Sequence, residues 1–312
     1  MLQTNRSPFV FLAVCLILVC SIAANAQNNR SAVSLTGVDT ASCTVPDPCR
    51  TFDTAIFRTN PGGEIVVLSS AGYGPFTVNK SVSIISPGGI HAALAPTNGA
   101  AITVDGSAID VFLRNLWINS LGATDGITIL NARQLHIENC TITGFSNSGI
   151  NAVMSNDLFG SFWMSVVDSF LRLNATGIAM SSGGLGISRL TVDRTRVENN
   201  SGNAISITPG AGGSVDGIIR ESLITANGAG IFVSTSNTSH TNVEGCAFVH
   251  NPGTALQGGG TSTRVIRVSQ SYIANNGAGL ATGGGDDLQS FGDNRLTGNG
   301  SDGAFTSTIA LK

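Results

Sequence analysis

The sequence has little charge, few aromatic residues and almost no lysine. Only 11% of its 312 residues are charged and 6% are aromatic, whereas about 25% are charged in an ordinary soluble protein. With no basic excess and no basic run, the composition excludes a nucleic-acid binder that works by charge. Hydrophobic residues nevertheless reach 42%, so the chain is not disordered and can bury a large aliphatic core.

Long apolar runs are absent outside the N-terminus. An apolar run over residues 9–22 follows Arg6, and Ala24 and Ala26 form a small-x-small cleavage pattern. The run is shorter than the ~20 residues that a membrane-spanning helix needs. The pattern predicts a signal peptide over residues 1–26 and a mature chain that begins at Gln27 and has no membrane span. The protein is therefore expected to be secreted, periplasmic or at the cell surface.

Cysteine is scarce once the predicted signal peptide is removed, because only four of the six cysteines remain. An exported protein permits disulfides. Cys43 and Cys49 enclose a short proline-rich loop, and a disulfide between them is the natural interpretation. The same spacing could hold half a metal site, but no nearby His or Cys pair completes one.

What the sequence does contain is a repeat with a period near 25 residues. A small residue followed by Ile or Leu recurs after a polar turn, at intervals of 23 to 28 residues. The aliphatic members of this first pattern are Ile102, Ile127, Ile150, Ile178, Ile205, Ile231, Leu256 and Leu280.

A second pattern runs in phase with the first, as in residues 135–142 (LHIENCTI). Aliphatic residues alternate with polar ones, and this period of two predicts short strands rather than helices. The column that contains Ile137 is predicted to include Leu113, Val166, Val192, Ile219, Val243, Val268 and Phe291. Asparagines recur at one turn, where they are expected to supply tight or left-handed geometry; they are Asn174, Asn200, Asn227, Asn251 and Asn276.

Rungs of this kind must stack to bury their inward faces. The prediction is an all-β chain, a parallel β-solenoid of about ten rungs over residues 63–312. Residues 27–62 are expected to form an N-terminal cap, with a short helix over residues 51–58 that turns Phe52, Ala55 and Ile56 to one side. Cys140 and Cys246 fall in one inward column four rungs apart, about 19 Å at the strand spacing, which is too far for a disulfide.

The rungs, together with residues 48–52 (PCRTF), 62–67 (GGEIVV) and 72–74 (GYG), resemble the right-handed parallel β-helix proteins of the pectin-lyase-like superfamily, bacterial exported type. The resemblance covers roughly residues 60–312 and implies a right-handed coil, in agreement with the general rule for parallel crossovers. Its motifs specify the fold and not the activity, because lyases, hydrolases, esterases, epimerases, adhesins and inert spacers share this fold.

One motif is similar to that of the polygalacturonases in this superfamily, which place acids on consecutive rungs. Residues 123–126 (ATDG) offer Asp125 as the first acid, and a second acid one rung away would complete an acid–base pair. The next rung has Asn147 and Ser148 instead, and an R-I-K motif is impossible because Lys80 and Lys312 are the only lysines. The alternative is an ordinary turn at Asp125.

Two outward columns could contact a polysaccharide. The strand after each Gly-Ile turn is expected to line a groove, and its first outward residues include the candidate sugar-binding side chains Thr128, Asn151, Ser206, Phe232 and Gln257. The column one residue after Ile137 contains Asp193, Arg220 and Glu244. These three could be the carboxylates and the electrophile or base of a lyase, or else a ladder of opposite charges on neighbouring strands. The stretch from Asn151 to Trp163, the longest loop between rungs, could overhang a groove.

Acids near the C-terminus faintly resemble calcium-binding Gly/Asp repeats; they are Asp286, Asp287, Asp293 and Asp302. Their spacing does not sustain the repeat, and solvated turns are the alternative. No cofactor other than calcium is suggested. The sequence thus favours an exported β-helix with a non-catalytic role, in carbohydrate contact or surface structure. The alternative is a polysaccharide-active enzyme, a pectate-lyase-like lyase or a glycoside hydrolase. The oligomeric state is open.

Overall fold

A computed structural model describes residues 27–154, 161–182, 186–210, 212–235, 239–260, 264–283 and 286–310. This part of the chain contains one α-helix, α1, and 31 β-strands, which form three sheets with parallel pairing throughout. Successive strands pass from one sheet to the next, and each pairs with the equivalent strand of the neighbouring rung. The predicted all-β parallel solenoid is therefore confirmed, and roughly ten rungs agree with the ten strands of the second sheet. The predicted signal peptide, residues 1–26, lies outside the described residues.

Sheet I contains 12 strands and begins each rung. In order these strands are β1 (Asn28–Val33), β2 (Thr59–Val67), β5 (Val82–Ile85), β8 (Asp110–Arg114), β11 (Gln134–Glu138), β14 (Trp163–Val167), β17 (Ile187–Asp193), β20 (Ser214–Arg220), β23 (Ser239–Glu244), β26 (Arg264–Ser269), β29 (Asp286–Ser290) and β31 (Ser307–Thr308).

Sheet II follows sheet I in each rung and consists of short strands. Its ten strands are β3 (Ala71–Gly72), β6 (Ala92–Leu94), β9 (Leu116–Asn119), β12 (Thr141–Thr143), β15 (Phe170–Arg172), β18 (Arg196–Glu198), β21 (Leu223–Thr225), β24 (Ala247–Val249), β27 (Tyr272–Ala274) and β30 (Arg295–Thr297).

Sheet III completes the rung and holds the Gly-Ile pattern. Its nine strands are β4 (Phe76–Val78), β7 (Ala100–Asp105), β10 (Asp125–Asn131), β13 (Ser148–Met154), β16 (Thr176–Ser182), β19 (Asn203–Ile207), β22 (Ala229–Thr235), β25 (Thr254–Gly260) and β28 (Ala278–Ala281).

The aliphatic columns form the core between the three sheets. Ile137 pairs with Leu113 on one side and Val166 on the other, and all three are fully buried. This confirms the predicted register. The column departs from the prediction at its last member, since Val268 pairs with Ser290 and not with Phe291. Alternation in β29 turns Ser290 inward, where its Oγ accepts bonds from the Gly292 N–H and the Asn294 amide of the next turn.

The recurring asparagines form a buried ladder between sheets II and III. From Asn200 onward, the side-chain oxygen accepts bonds from the backbone N–H and the side-chain amide of the equivalent asparagine one rung earlier, as Asn227 does from Asn200 at 3.1 and 2.8 Å. Asn174 begins the ladder, and its oxygen accepts the Phe145 N–H. Asn299 extends the ladder by one rung. The left-handed backbone predicted for these asparagines lies instead at the residue before each, as at Leu173 (φ 56°) and Ala226 (φ 53°). The asparagine side chain is thereby turned inward to serve the neighbouring rungs.

A second inward ladder lies at the turn between sheets I and II. The Cys140 N–H donates to Ser169 Oγ, the Ser169 N–H to Thr195 Oγ1, and the Thr195 N–H to Ser222 Oγ. Cys246 occupies the same position further along and donates its N–H to Ser271 Oγ. Both cysteines are buried free thiols, as their predicted places in one column require.

The N-terminal end is covered by α1 (Phe52–Arg58) and strand β1. Thr51 caps the helix by accepting the Thr54 N–H, and Phe52, Ala55 and Ile56 are the buried face. β1 pairs in parallel with β2, so the cap contributes a strand to sheet I, and the expected boundary at residues 62 and 63 falls inside β2. Cys43 and Cys49 are joined by a disulfide beside the helix. None of the described residues belongs to a helix with the length and hydrophobicity of a membrane span.

The C-terminal end is covered more lightly. Asp302 Oδ1 accepts both the backbone N–H and the side-chain amide of Asn299, so this carboxylate takes the place of the next asparagine and terminates the ladder. β31 then adds a last short strand to sheet I through Ser307 and Thr308. Phe305 packs against the core, which gives this end more cover than the sequence suggested.

Candidate functional site

The three candidate lyase residues lie in one outward column of sheet I, as predicted. Asp193 pairs with Arg220, and Arg220 pairs with Glu244 on the next strand. The Asp193 side chain is only 5% exposed, because Arg220 and Arg194 both bind its carboxylate. The Arg220 Nε–Asp193 Oδ1 distance is 2.9 Å, and Arg194 contacts the other oxygen and also binds Asp168.

This arrangement is that of a charge ladder. The hydrogen bond from Arg220 to Asp193, followed by their charge attraction, raises the pKa of the Arg220 guanidinium above its ordinary value. A guanidinium so held cannot act as a general base. Glu244 is exposed, and among the described residues no cation lies within ion-pair distance of its carboxylate. Arg114 and Glu138 form a further rung of the same column at 3.6 Å.

Asp125, the candidate hydrolase acid, is the first residue of β10, and its carboxylate binds the turn that precedes β13 on the next rung. Its Oδ1 accepts bonds from the Asn147 amide at 2.8 Å and from the Ser148 N–H at 3.2 Å. Burial raises the pKa of the Asp125 carboxyl, and the hydrogen bonds from Asn147, Thr124 and Ser148 oppose this effect. Asn147 and Ser148, which stand where a polygalacturonase would have its second acid, thus hold Asp125 in place. This is the geometry of a structural turn.

The candidate sugar-binding side chains of sheet III form one column. Thr128 pairs with Asn151, and Ser206 pairs with Phe232, which in turn pairs with Gln257. The repeat predicts Thr306 as the last member of this column, but Thr306 instead lies at the end of sheet I and donates to Asp287. The column is thus a real outward face of β-strands, but the grooves described below lie on sheet I.

The candidate calcium ligands are engaged separately. Asp287 accepts bonds from Thr306 and Gln289, Asp293 accepts the Gln270 N–H, and Asp302 ends the asparagine ladder. The side chain of Asp286 lies outside the described part. Within the described ranges, no group of three His, Cys, Asp or Glu side chains is placed to hold a metal ion.

The outer face of sheet I carries a line of grooves that the sequence reasoning missed. One of about 540 Å³ is lined by Arg133, Gln134 and Trp163, among others. A second of about 290 Å³ shares Gln134 and is lined by Phe112 and His136. Apart from Arg133, which precedes β11, these residues belong to the two outward columns that come before the charge ladder along each strand. The same alternation that located the ladder would have located them.

Aromatic side chains form part of the floor of these grooves. The Trp163 side chain is 51% exposed, and the Arg189 guanidinium lies over its ring, 5.1 Å from the centroid. The rings of Phe112 and His136 stack with their centroids 4.9 Å apart and their planes 3° apart. Trp163 is the first residue of β14, so it belongs to the sheet and not to the overhanging loop that the sequence predicted.

The polar groups of the grooves are mixed in charge. Arg133 binds Asp110 through two nitrogens, with Nε 2.7 Å from Oδ1. A third groove of about 380 Å³ is lined by Arg189, Asp216 and His240, and His240 Nδ1 lies 3.4 Å from Asp216 Oδ1. The three grooves run from β2 to β23 across eight strands, about 34 Å at the usual strand spacing. An extended polymer could lie along them.

No family model matches the sequence, and no curated protein matches it. Among solved structures, the crystal structure of pectate lyase Pel9A is similar, with a TM-score of 0.71 and 14% sequence identity. The similarity covers 91% of this chain and 79% of that protein. At this identity the likeness shows the fold alone, which is the pectin-lyase-like parallel β-helix.

Proposed function

We propose that this protein is an exported, non-catalytic β-helix that binds polysaccharide along the outer face of sheet I. The observation that carries the proposal is the groove beside Trp163, where an exposed indole, a guanidinium and the Gln134 amide line one open channel. Aromatic faces with hydrogen-bond donors beside them are the usual composition of small-molecule and sugar sites. Continuity with the neighbouring grooves suits a chain rather than a single sugar.

The non-catalytic role is supported by the state of the carboxylates. Asp193 is held by two arginines, and Asp125 accepts bonds from Asn147 and Ser148 on the next rung. Groups with satisfied partners in a structural network are poorly placed to exchange protons with a substrate.

The alternative is a polysaccharide lyase, and one observation favours it. The structure that this chain resembles is that of a pectate lyase, and the exposed Glu244 lies beside Arg220 in register. This alternative predicts unsaturated products from an acidic polysaccharide. Because a binding module gives none, an absorbance assay for unsaturated uronates distinguishes the two functions.

The binding experiment uses a glycan array followed by calorimetry with the polysaccharide retained best. Trp163→Ala should weaken binding by at least about tenfold, as truncation of a central aromatic contact does. Phe57→Ala is the matched control, because Phe57 is an equally exposed aromatic on the capping helix α1. Equal affinity of the two variants would place the site elsewhere.

Export is tested on secreted material. Cleavage of the predicted signal peptide should leave Gln27 at the N-terminus, with or without cyclisation of this glutamine. Intact-mass analysis decides this, and secreted protein that retains residues 1–26 would contradict it.

A further inference from the structure

Sheet II has an outward column whose apolar members recur on every second strand. Read from β9 to β30, the column alternates between large apolar residues and polar or small ones. Its members in order are Trp117, Thr141, Phe170, Arg196, Leu223, Ala247, Tyr272 and Arg295. Two strand spacings separate successive apolar residues, about 9.6 Å.

The apolar members are available at the surface. Trp117 is 44% exposed and Tyr272 41% exposed, while Phe170 and Leu223 are half-buried. Side chains of this size cost free energy when they face water, and core packing does not require them here, because the inward neighbours Ile118 and Ile273 already fill the interior.

The same face carries an excess of positive charge. Arg172, Arg196 and Arg295 project from sheet II, against one carboxylate of the sheet, Glu198, which lies beneath Arg196 with its side chain nine-tenths buried. The guanidinium groups of Arg172 and Arg196 lie 5.5 and 5.6 Å from the Phe170 ring centroid.

Two of these arginines have no carboxylate partner. No acid among the described residues forms an ion pair with Arg172 or Arg295, although Asp293 shares a small groove with the latter. The Nε of Arg172 is buried and has no hydrogen-bond partner in the described residues. The face is therefore complementary to an anionic ligand.

We propose that the outer face of sheet II binds an extended acidic glycan with a two-sugar repeat, aligned with the β-helix axis. In a two-fold glycan ribbon every second sugar presents the same face, so apolar stacking surfaces recur once per disaccharide. The column offers a matching partner once per two strands, and the arginines offer donors for carboxylates. This site goes beyond the proposed binding along sheet I and does not require it.

Peptide ligands fit the spacing less well. Residues on one face of an extended strand recur every ~6.6–6.8 Å, which falls out of step with a 9.6 Å row within one repeat. The spacing therefore favours a ligand whose stacking surfaces recur once per two sugars over an extended peptide.

The probe is a β-1,4-linked glucuronate octamer, compared with cello-octaose, which has the same linkage without the carboxylates. Calorimetry should show that wild-type protein binds the glucuronate octamer at least tenfold more tightly than cello-octaose, and that added salt weakens this binding. Trp117→Ser and Tyr272→Ser should each weaken it by about tenfold, a loss typical of truncated aromatic contacts.

The decisive variant exchanges two neighbours in the column, Trp117→Thr together with Thr141→Trp. It keeps the composition and charge of the face and breaks only the two-strand period. Unchanged far-UV circular dichroism and melting temperature show that the fold is intact. The proposal predicts that the exchange weakens binding as much as Trp117→Ser does.

Three outcomes overturn the proposal. The exchange variant binding as tightly as wild type would mean that the period is not recognised. No binding of the octamer, or binding abolished by Trp163→Ala and unaffected by the sheet II variants, would mean that sheet II is not a glycan site. If Trp163→Ala abolishes binding and the sheet II variants do not affect it, the sheet I function still holds. If Trp163→Ala has no effect and the sheet II variants weaken binding, the sheet II site still holds.

Discussion

Asn227 lies in the middle of the asparagine ladder and tests how much that ladder stabilises the β-helix. Its side chain is fully buried. The Oδ1 atom accepts bonds from the backbone N–H and the side-chain amide of Asn200. The Nδ2 atom lies within hydrogen-bond distance of Val197 O at 2.9 Å, Thr225 O at 3.1 Å and Asn251 Oδ1 at 3.2 Å. Asn227→Ala removes all of these side-chain bonds but keeps the backbone N–H bond from residue 227 to Asn251 Oδ1.

The expected loss follows from the groups left without partners. The Asn200 N–H loses its acceptor, and the Asn200 amide keeps only the 3.4 Å bond to Leu171 O. A buried polar group without a partner costs about 1–3 kcal/mol, so two such groups and a small cavity should lower the free energy of unfolding by about 2–5 kcal/mol. That is a large share of the 5–15 kcal/mol that is typical of a folded protein.

Urea denaturation followed by far-UV circular dichroism measures this loss. Asn242→Ala is the control, because Asn242 is exposed on β23, and its change should stay within about 0.5 kcal/mol. If Asn227→Ala costs less than about 1 kcal/mol relative to this control, water or neighbouring groups replace the ladder bonds, and the reasoning fails. A broadened transition would indicate that the rungs on either side unfold separately, as stacked repeats can.

Three further predictions concern the core and its titratable groups. Ile137→Asp buries an unpaired carboxylate and should cost several kcal/mol or prevent folding, whereas an unchanged melting temperature would refute the register. Burial raises the pKa of Cys140 to about 12 and of Cys246 to about 11, so the stability should fall as pH rises above ~8.5, where unfolded thiols ionise. A variant with serine at both positions should lack this slope in urea titrations from pH 8 to 11, and a slope that persists would assign it to other groups. Asp125→Asn should be more stable than wild type at pH 7, because the raised pKa of the carboxyl makes its ionised form unfavourable, and melting curves should show the difference vanishing below ~pH 4.

The core was predictable from the sequence because its signal is periodic and local. Ile137 and its neighbours alternate with polar residues, and the 25-residue period brings equivalent residues into register without knowledge of any distant contact. The prediction was wrong at Phe291, where the period weakens near the end of the chain. There the intervals no longer determine whether a residue points inward. The bonds that Ser290 accepts from its own turn favour Ser290, and not Phe291, at the inward position.

The asparagine ladder was only half predictable. The recurrence of residues such as Asn200 and Asn227 indicated a turn, and asparagine is common in turns because it tolerates left-handed backbone. The structure assigns that backbone to the residue before each asparagine. The asparagine is required for its amide, which donates and accepts between rungs about 27 residues apart, and such long-range hydrogen bonds leave no local pattern in the sequence.

The outward columns of the sheets indicate where a ligand can bind, which the buried columns do not. On sheet I the column that looked most chemical, with Asp193 and Arg220, proved to be internally satisfied, while the column with Trp163 borders open grooves. Charged residues in a repeat therefore have to be read together with their neighbours one rung away, because opposite charges in register neutralise each other. Trp163 is covered only in part, because the Arg189 guanidinium lies over its ring while about half of the side chain stays exposed. The proposal of polymer binding therefore starts from the exposed aromatics of the stack and not from its charged residues.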